Sequence, residues 1–258
     1  MASYPKMPGG ADGAGAAERP VFVDVPVLCG HRGSGSGVVG GERENTLGSY
    51  RAAVAAGLRW VEVDARANAD SLLVASHDPV AGNGGVISEL GTSETDELGL
   101  MRVADLLEEL PREVAVDIDV KSSLEDALRD RAATTAALVA RLAAAERARR
   151  RVLVTSFDPA ALLIVRERAP RLPVGLLTWT RFPLRKAIPA AVHLGLDVVV
   201  AHVDSFAEEE RAGLAVATAH AAGLQVGAWC PDAEQAPRLV AAGVDCLIVD
   251  RAAGRLAA

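Results

Sequence analysis

Eight short runs of β-branched and apolar residues recur along the chain, each followed by a longer segment rich in Ala, Leu and Arg. This alternation constrains the fold more than any other feature. The runs are residues 27–31, 60–65, 114–120, 152–156, 174–178, 197–202, 225–229 and 245–249. Most are apolar nearly throughout, the pattern of strands covered on both faces. The segments between them read as helices over 45–56, 103–110, 123–149, 159–168, 183–194, 207–222 and 232–242. Gly57, Gly195, Gly223 and Gly243 stand just past helical segments, where glycine commonly ends a helix. Strand and helix alternating eightfold predict an α/β protein, a single-domain (β/α)8 TIM barrel, over an open doubly wound sheet. The glycine pattern of the open alternative is missing. "GSGSG" follows the first strand, but no helix continues from it. Residues 72–76 read as a short extra strand and 81–99 as a long loop. Residues 1–20 are Gly-, Ala- and Pro-rich and read as a disordered leader, leaving 21–258 to the barrel. Little sequence follows Asp250, so an eighth helix is expected to be short or missing.

Composition narrows the partners. Half of the residues are hydrophobic but aromatics are only 3%, so Ala, Val and Leu must build the core. A net charge of −7 argues against nucleic acid as a partner. An acidic chain that acts on an anion needs local positive charge, from a metal or from placed Arg and Lys. The three cysteines form no C-x-x-C pair and their odd count argues against a disulfide framework. There is no apolar signal segment, and no apolar stretch approaches the roughly 18 residues of a spanning helix. The expectation is a cytoplasmic protein without stable membrane insertion.

Polar residues fall where a barrel puts its chemistry, at the C-terminal ends of strands. The first strand ends in His31-Arg32-Gly33, the second carries Glu62-x-Asp64, the extra strand runs into His77-Asp78, and the third carries Asp117-x-Asp119-x-Lys121. A spacing of two puts Glu62 and Asp64 on one face, inward, because Val61 and Val63 suit packing against helices. Paired inward carboxylates repel and are poorly solvated unless a cation lies between them. Oxygen ligands favour Mg²⁺ or Ca²⁺. The competing reading locks these acids to buried Lys or Arg as a salt-bridge network. His31 and His77 suit acid–base work, since imidazole titrates near neutrality. His193 and His220 fall on predicted helices and read as surface residues, and His202 ends the sixth strand without an evident partner.

The motifs H-R-G, E-N-T, E-x-D and H-D occur in this order within residues 31–78. With "DVK", "TSFDP", "AWCPD" and "AGVDCLIVD" further on, residues 27–250 resemble the glycerophosphodiester phosphodiesterase family. The resemblance implies a (β/α)8 barrel that hydrolyses small-molecule glycerophosphodiesters to glycerol 3-phosphate and an alcohol, using one divalent cation. It implies Glu62, Asp64 and Asp119 as metal ligands with Glu44 nearby, and His31 and His77 as the acid–base pair. It also implies Arg32 and Lys121 as phosphate contacts and Trp229 as an aromatic border of the substrate. The chain departs from the family pattern at Asp119, where Glu is usual, in the long Gly-rich segment 34–43, and at Cys230-Pro231. Two alternatives use the same residues: a related barrel lyase that stops at a cyclic phosphate, and a non-catalytic barrel that binds a phosphorylated metabolite.

Overall fold

The structure, a computed structural model, describes residues 20–207 and 209–251. In chain order its strands are β1 (Val27–Gly30), β2 (Val38–Val39), β3 (Glu42–Arg43), β4 (Trp60–Ala67), β5 (Leu73–Ala75), β6 (Ala115–Val120), β7 (Val152–Ser156), β8 (Val174–Thr178), β9 (Val198–His202), β10 (Gln225–Trp229) and β11 (Cys246–Val249). Its helices are α1 (Leu47–Ala55), α2 (Thr92–Glu97), α3 (Val103–Glu109), α4 (Thr135–Glu146), α5 (Pro159–Arg168), α6 (Leu184–His193), α7 (Glu209–Ala221) and α8 (Ala236–Ala241). Eight strands run parallel in the order β1-β11-β10-β9-β8-β7-β6-β4. Pairing of Cys29 with both Ile248 and Trp60 closes the sheet into a barrel. β5 is the predicted extra strand and lies antiparallel on β4, and β2 and β3 form a small hairpin between β1 and α1.

Alternation along the strands separates two apolar layers. Val61, Val63, Val116, Ile118 and Val154 point outward into the layer shared with the helices. Cys29, Trp60, Leu153, Val198, Val200, Cys246 and Ile248 fill the barrel, together with Val21 and Phe22. The Phe22 ring meets Trp60 edge-on at 5.2 Å. Its backbone N–H donates to Gln225 Oε1 at 2.9 Å, and its carbonyl accepts from Gln225 Nε2 at 3.0 Å. The segment before β1 thus plugs the N-terminal end and leaves the opposite mouth open.

Two helical expectations need correction. The long helix over 123–149 is a 3-10 turn, Leu124–Ala127, followed by α4. Side chains there capture backbone amides and break the helix. Asp126 accepts from the N–H groups of Ser123 (3.2 Å) and Thr135 (3.0 Å), and the Thr134 hydroxyl caps Ala137 at 3.3 Å. Segment 81–99 is not a plain loop. It holds a 3-10 turn, Ile87–Glu89, and α2, whose first amides are accepted by Glu94 and Asp70. Residues 1–19 of the expected leader and 252–258, where a last helix would fall, lie outside the described residues.

Arg150 ties α3 to α4. Its side chain is fully buried and pairs with Glu146. Its other nitrogens donate to the carbonyls of Leu107, Leu110, Pro111 and Val114 at 2.7–3.2 Å, satisfying the end of α3. Arg150→Met leaves Glu146 with only the more distant Arg149, 3.7 Å away, and removes a charged donor from four carbonyls, so a loss of about 3–5 kcal/mol is expected. In thermal denaturation that is a fall in Tm of roughly 10 °C for a domain of this size. An unchanged Tm would refute this role.

Candidate active site

Register builds the floor of the open mouth. Glu62 lies beside Asp117, and Asp64 beside Asp119, across the β4–β6 pair. Four carboxylates therefore form a two-by-two block, each no more than 4% exposed. Carboxylate oxygens of Glu62, Asp64 and Asp119 lie within 4.8 Å of one another, a group able to hold a metal ion. Burial, with Asp64 and Asp119 close by, pushes the Glu62 carboxyl well above the ordinary range. Burial pushes Asp117 up as well, against a hydrogen bond from the Thr155 hydroxyl at 2.8 Å. Burial would also raise Asp64, but Lys121, Arg32 and the Asn45 amide outweigh it and hold its pKa at about 2.

The cations sit among these acids. Lys121 follows β6 and returns its ammonium to Asp119 and to Asp64, 2.9 Å away. Burial lowers the Lys121 pKa, yet the neighbouring Asp119, Asp64 and Glu62 reverse this and raise it. Arg32 donates its backbone N–H to Glu62 at 2.8 Å, places Nε 3.3 Å from Asp64, and donates Nη1 to Glu44 at 3.0 Å. Its φ of +51° is uncommon for a residue with a side chain. The structure does not bring Glu44 into the three-carboxylate group. Its carboxylate holds Arg32 and accepts the Gly37 N–H.

Both expected imidazoles line one cavity of about 440 Å³, together with Arg32, Glu62, Asp119, Lys121 and Trp229. His31 Nδ1 lies 2.6 Å from Asp250 Oδ1, and the Ser36 N–H donates to the same oxygen at 2.9 Å. Burial would raise the Asp250 carboxyl, but these two partners hold it well below the ordinary range. The approach needs Gly35, where a Cβ would fall 1.7 Å from the Asp250 carbonyl oxygen. His77 Nδ1 lies 2.9 Å from Asp78 Oδ1, and the His77 carbonyl accepts two guanidinium N–H groups of Arg66 at 2.6 and 3.1 Å. The opposite wall is aromatic. Phe157 stacks on Trp179 at 4.4 Å and meets Trp229 edge-on at 5.9 Å. Trp229 Nε1 donates to the Thr178 carbonyl at 3.1 Å. His202, which does not line the cavity, packs edge-on against Trp229, which does, at 4.3 Å. His193 is exposed, as expected, and the exposed His220 reaches Asp245 at 2.8 Å.

Sequence reasoning missed Asp250, Asn45 and Phe157. Asp250 and Phe157 each stand one residue past a strand end, a signal that could have marked them. Asn45, of the E-N-T motif, donates to Asp64 Oδ2 at 2.7 Å and accepts the Tyr50 hydroxyl at 2.9 Å.

Acids in excess of their cations, facing two imidazoles that each keep one nitrogen without a partner among the described residues, suit proton transfer around an anionic ester held in a pit. The profile of the glycerophosphoryl diester phosphodiesterase family matches residues 31–253, and the chain belongs to that family. The family match identifies the chemistry as that of a phosphoric diester hydrolase. Three solved structures share the fold. A candidate glycerophosphoryl diester phosphodiesterase from Silicibacter pomeroyi DSS-3 is 22% identical, with a TM-score of 0.73 over 93% of this chain and 95% of that one. The glycerophosphodiester phosphodiesterase from Thermotoga maritima is 20% identical, with a TM-score of 0.70 over 88% and 95%. An Oleispira antarctica phosphodiesterase, solved with its product sn-glycerol-3-phosphate, is 22% identical, with a TM-score of 0.70 over 87% and 93%. Comparison with curated protein sequences finds no match. Among the described residues no helix is long and apolar enough to cross a membrane.

Proposed function

We propose that the protein hydrolyses small-molecule glycerophosphodiesters to glycerol 3-phosphate and an alcohol, with His31 and His77 as its acid–base pair. The observation that carries this reading is the pairing of each imidazole, through Nδ1, with an aspartate in one shared cavity. With Nδ1 committed to Asp250 or Asp78, Nε2 is the nitrogen left to move a proton. One imidazole takes the proton of the attacking glycerol hydroxyl while the other protonates the leaving alkoxide. Their roles then reverse as water opens the cyclic phosphate. Lys121 and Arg32 supply positive charge beside the phosphoryl oxygens, and Asp250 positions His31. Trp229 and Phe157 form the apolar side of the cleft.

The donor set fits a divalent cation. Among the described residues, buried Asp119 Oδ1 accepts no hydrogen bond, and the Glu62 carboxylate accepts one, from the Arg32 backbone N–H. Glu62, Asp64 and Asp119 would hold the ion, and oxygen donors favour Mg²⁺ or Ca²⁺. Bound there, it would act as a Lewis acid on the phosphoryl group. Cys29, Cys230 and Cys246 are free thiols, in keeping with a cytoplasmic setting.

The test is turnover of glycerophosphocholine with Mg²⁺ or Ca²⁺, followed by phosphorus NMR. Glycerol 3-phosphate is expected as the final phosphorus product, and EDTA is expected to stop its formation. A cyclic phosphate that persists would make the protein a lyase, and turnover insensitive to EDTA would remove the metal from the reading.

A further inference from the structure

The barrel mouth carries an apolar and basic rim that the hydrolysis itself does not use. The segment between β8 and α6 presents Trp179 at 67% exposure and Phe182 at 37%. Arg181, Arg185 and Lys186 are exposed around them. Arg185 and Lys186 make no ion pair among the described residues, and Arg181 reaches only Asp204, at 3.6 Å. No Asp or Glu occurs between Glu167 and Asp197, although the whole chain carries a net charge of −7. On the segment that leaves the same face after β6, Leu124 and Leu128 are 86% and 92% exposed. The acids beside them are engaged locally. Asp126 accepts two backbone N–H groups and Asp130 accepts that of Ala132.

Full exposure of large apolar side chains costs solvation and needs a reason when it is grouped. The β8–α6 part of this group is continuous with the active cavity, because Trp179 stacks on Phe157 and both line it. Aromatic rings flanked by Arg and Lys are the chemistry of a lipid headgroup boundary. The rings settle at the interface and the cations meet anionic headgroups. We propose that this rim docks the mouth reversibly on an anionic lipid surface. The cations left without ion pairs among the described residues, Arg185 and Lys186, match the charge of anionic headgroups, and the rings beside them match the apolar layer below.

The proposal rests on the diesterase reading only for the identity of the mouth. The test is co-sedimentation of the full chain with phosphatidylcholine vesicles, with and without phosphatidylglycerol. At low salt, binding to the anionic vesicles is expected to be at least about tenfold tighter, since each basic residue near the surface adds attraction, and to weaken with added salt. Leu124→Ser with Leu128→Ser and Phe182→Ser, or Arg185→Glu with Lys186→Glu, should each lower binding by about tenfold or more. Turnover of soluble glycerophosphocholine should stay at the wild-type level in both. Equal sedimentation with the two vesicle types, or undiminished binding by the variants, would overturn the proposal. So would a dimer in sedimentation velocity that the Leu124→Ser, Leu128→Ser and Phe182→Ser protein loses, since a second copy would then cover the rim. Wild-type vesicle binding without any diesterase turnover would instead count against the hydrolytic reading alone.

Discussion

His31→Ala and His77→Ala are each expected to lower kcat on glycerophosphocholine by about 100- to 10,000-fold, the range supplied by a positioned acid or base. The fold should survive both changes. The His77 side chain is 40% exposed and its partner Asp78 is 78% exposed, so water replaces what the imidazole gave. The His31 side chain is 12% exposed, but Asp250 is 37% exposed and keeps the Ser36 N–H. Tm should therefore move by only a few degrees, which separates lost chemistry from lost structure. A reaction that needs one neutral and one protonated imidazole gives a bell-shaped pH profile. The residual activity of each variant should lose one limb of the bell, and the limb lost identifies which residue starts as base. Wild-type kcat in either variant would remove that imidazole from the mechanism.

Asp64→Asn is expected to weaken divalent-cation binding by at least about 100-fold, a loss at or beyond that seen when ligands merely lose their supporting hydrogen bonds. Asparagine keeps the shape and can still meet Asn45, but it removes one of three charges that face the ion. Calorimetric titration with Mg²⁺ or Ca²⁺ reads the change directly. A second readout needs no activity. At a metal concentration 100 times the wild-type Kd, the ion stabilises the wild type by about 2.7 kcal/mol, and in the variant that stabilisation, with its rise in Tm, should fall to about 0.4 kcal/mol or less. The metal-free variant should remain folded. Lys121 and Arg32 lose a partner, but Glu62 and Asp119 lose a like-charged neighbour, and the two effects oppose each other. Equal metal affinity in the two proteins would leave the acids with Lys121 and Arg32 as a purely internal salt-bridge network.

What the sequence made legible follows from periodicity. Strands covered on both faces are apolar runs, so all eight barrel strands could be read, and the exceptions within them, Glu62, Asp64, Asp117 and Asp119, marked the floor of the cavity. The helix over 123–149 was overextended because its Ala-rich composition favours helix, while Asp126 and Thr134 act through side-chain capture that propensity does not register. Glu44 stands next to Asn45 in the E-N-T motif, yet the left-handed backbone at Asn45 (φ +55°) and the chain's turn back at Gly37 send the two side chains to different partners. Asp250 lay hidden for another reason. Its partner His31 is 219 residues away, and no local pattern links the first strand to the last. The aromatic wall is likewise assembled from the ends of β7, β8 and β10, so that few rings in the sequence become a concentrated surface in space.

Closure of the sheet between β1 and β11 also sets a schedule. A ribosome makes Asp250 219 residues after His31, and the register that brings them together needs both strands in place. A nascent chain therefore carries an imidazole without its orienting aspartate until the final strand has docked. On the proposed mechanism, competence for catalysis arrives only with β11, the stave that carries Asp250 to His31.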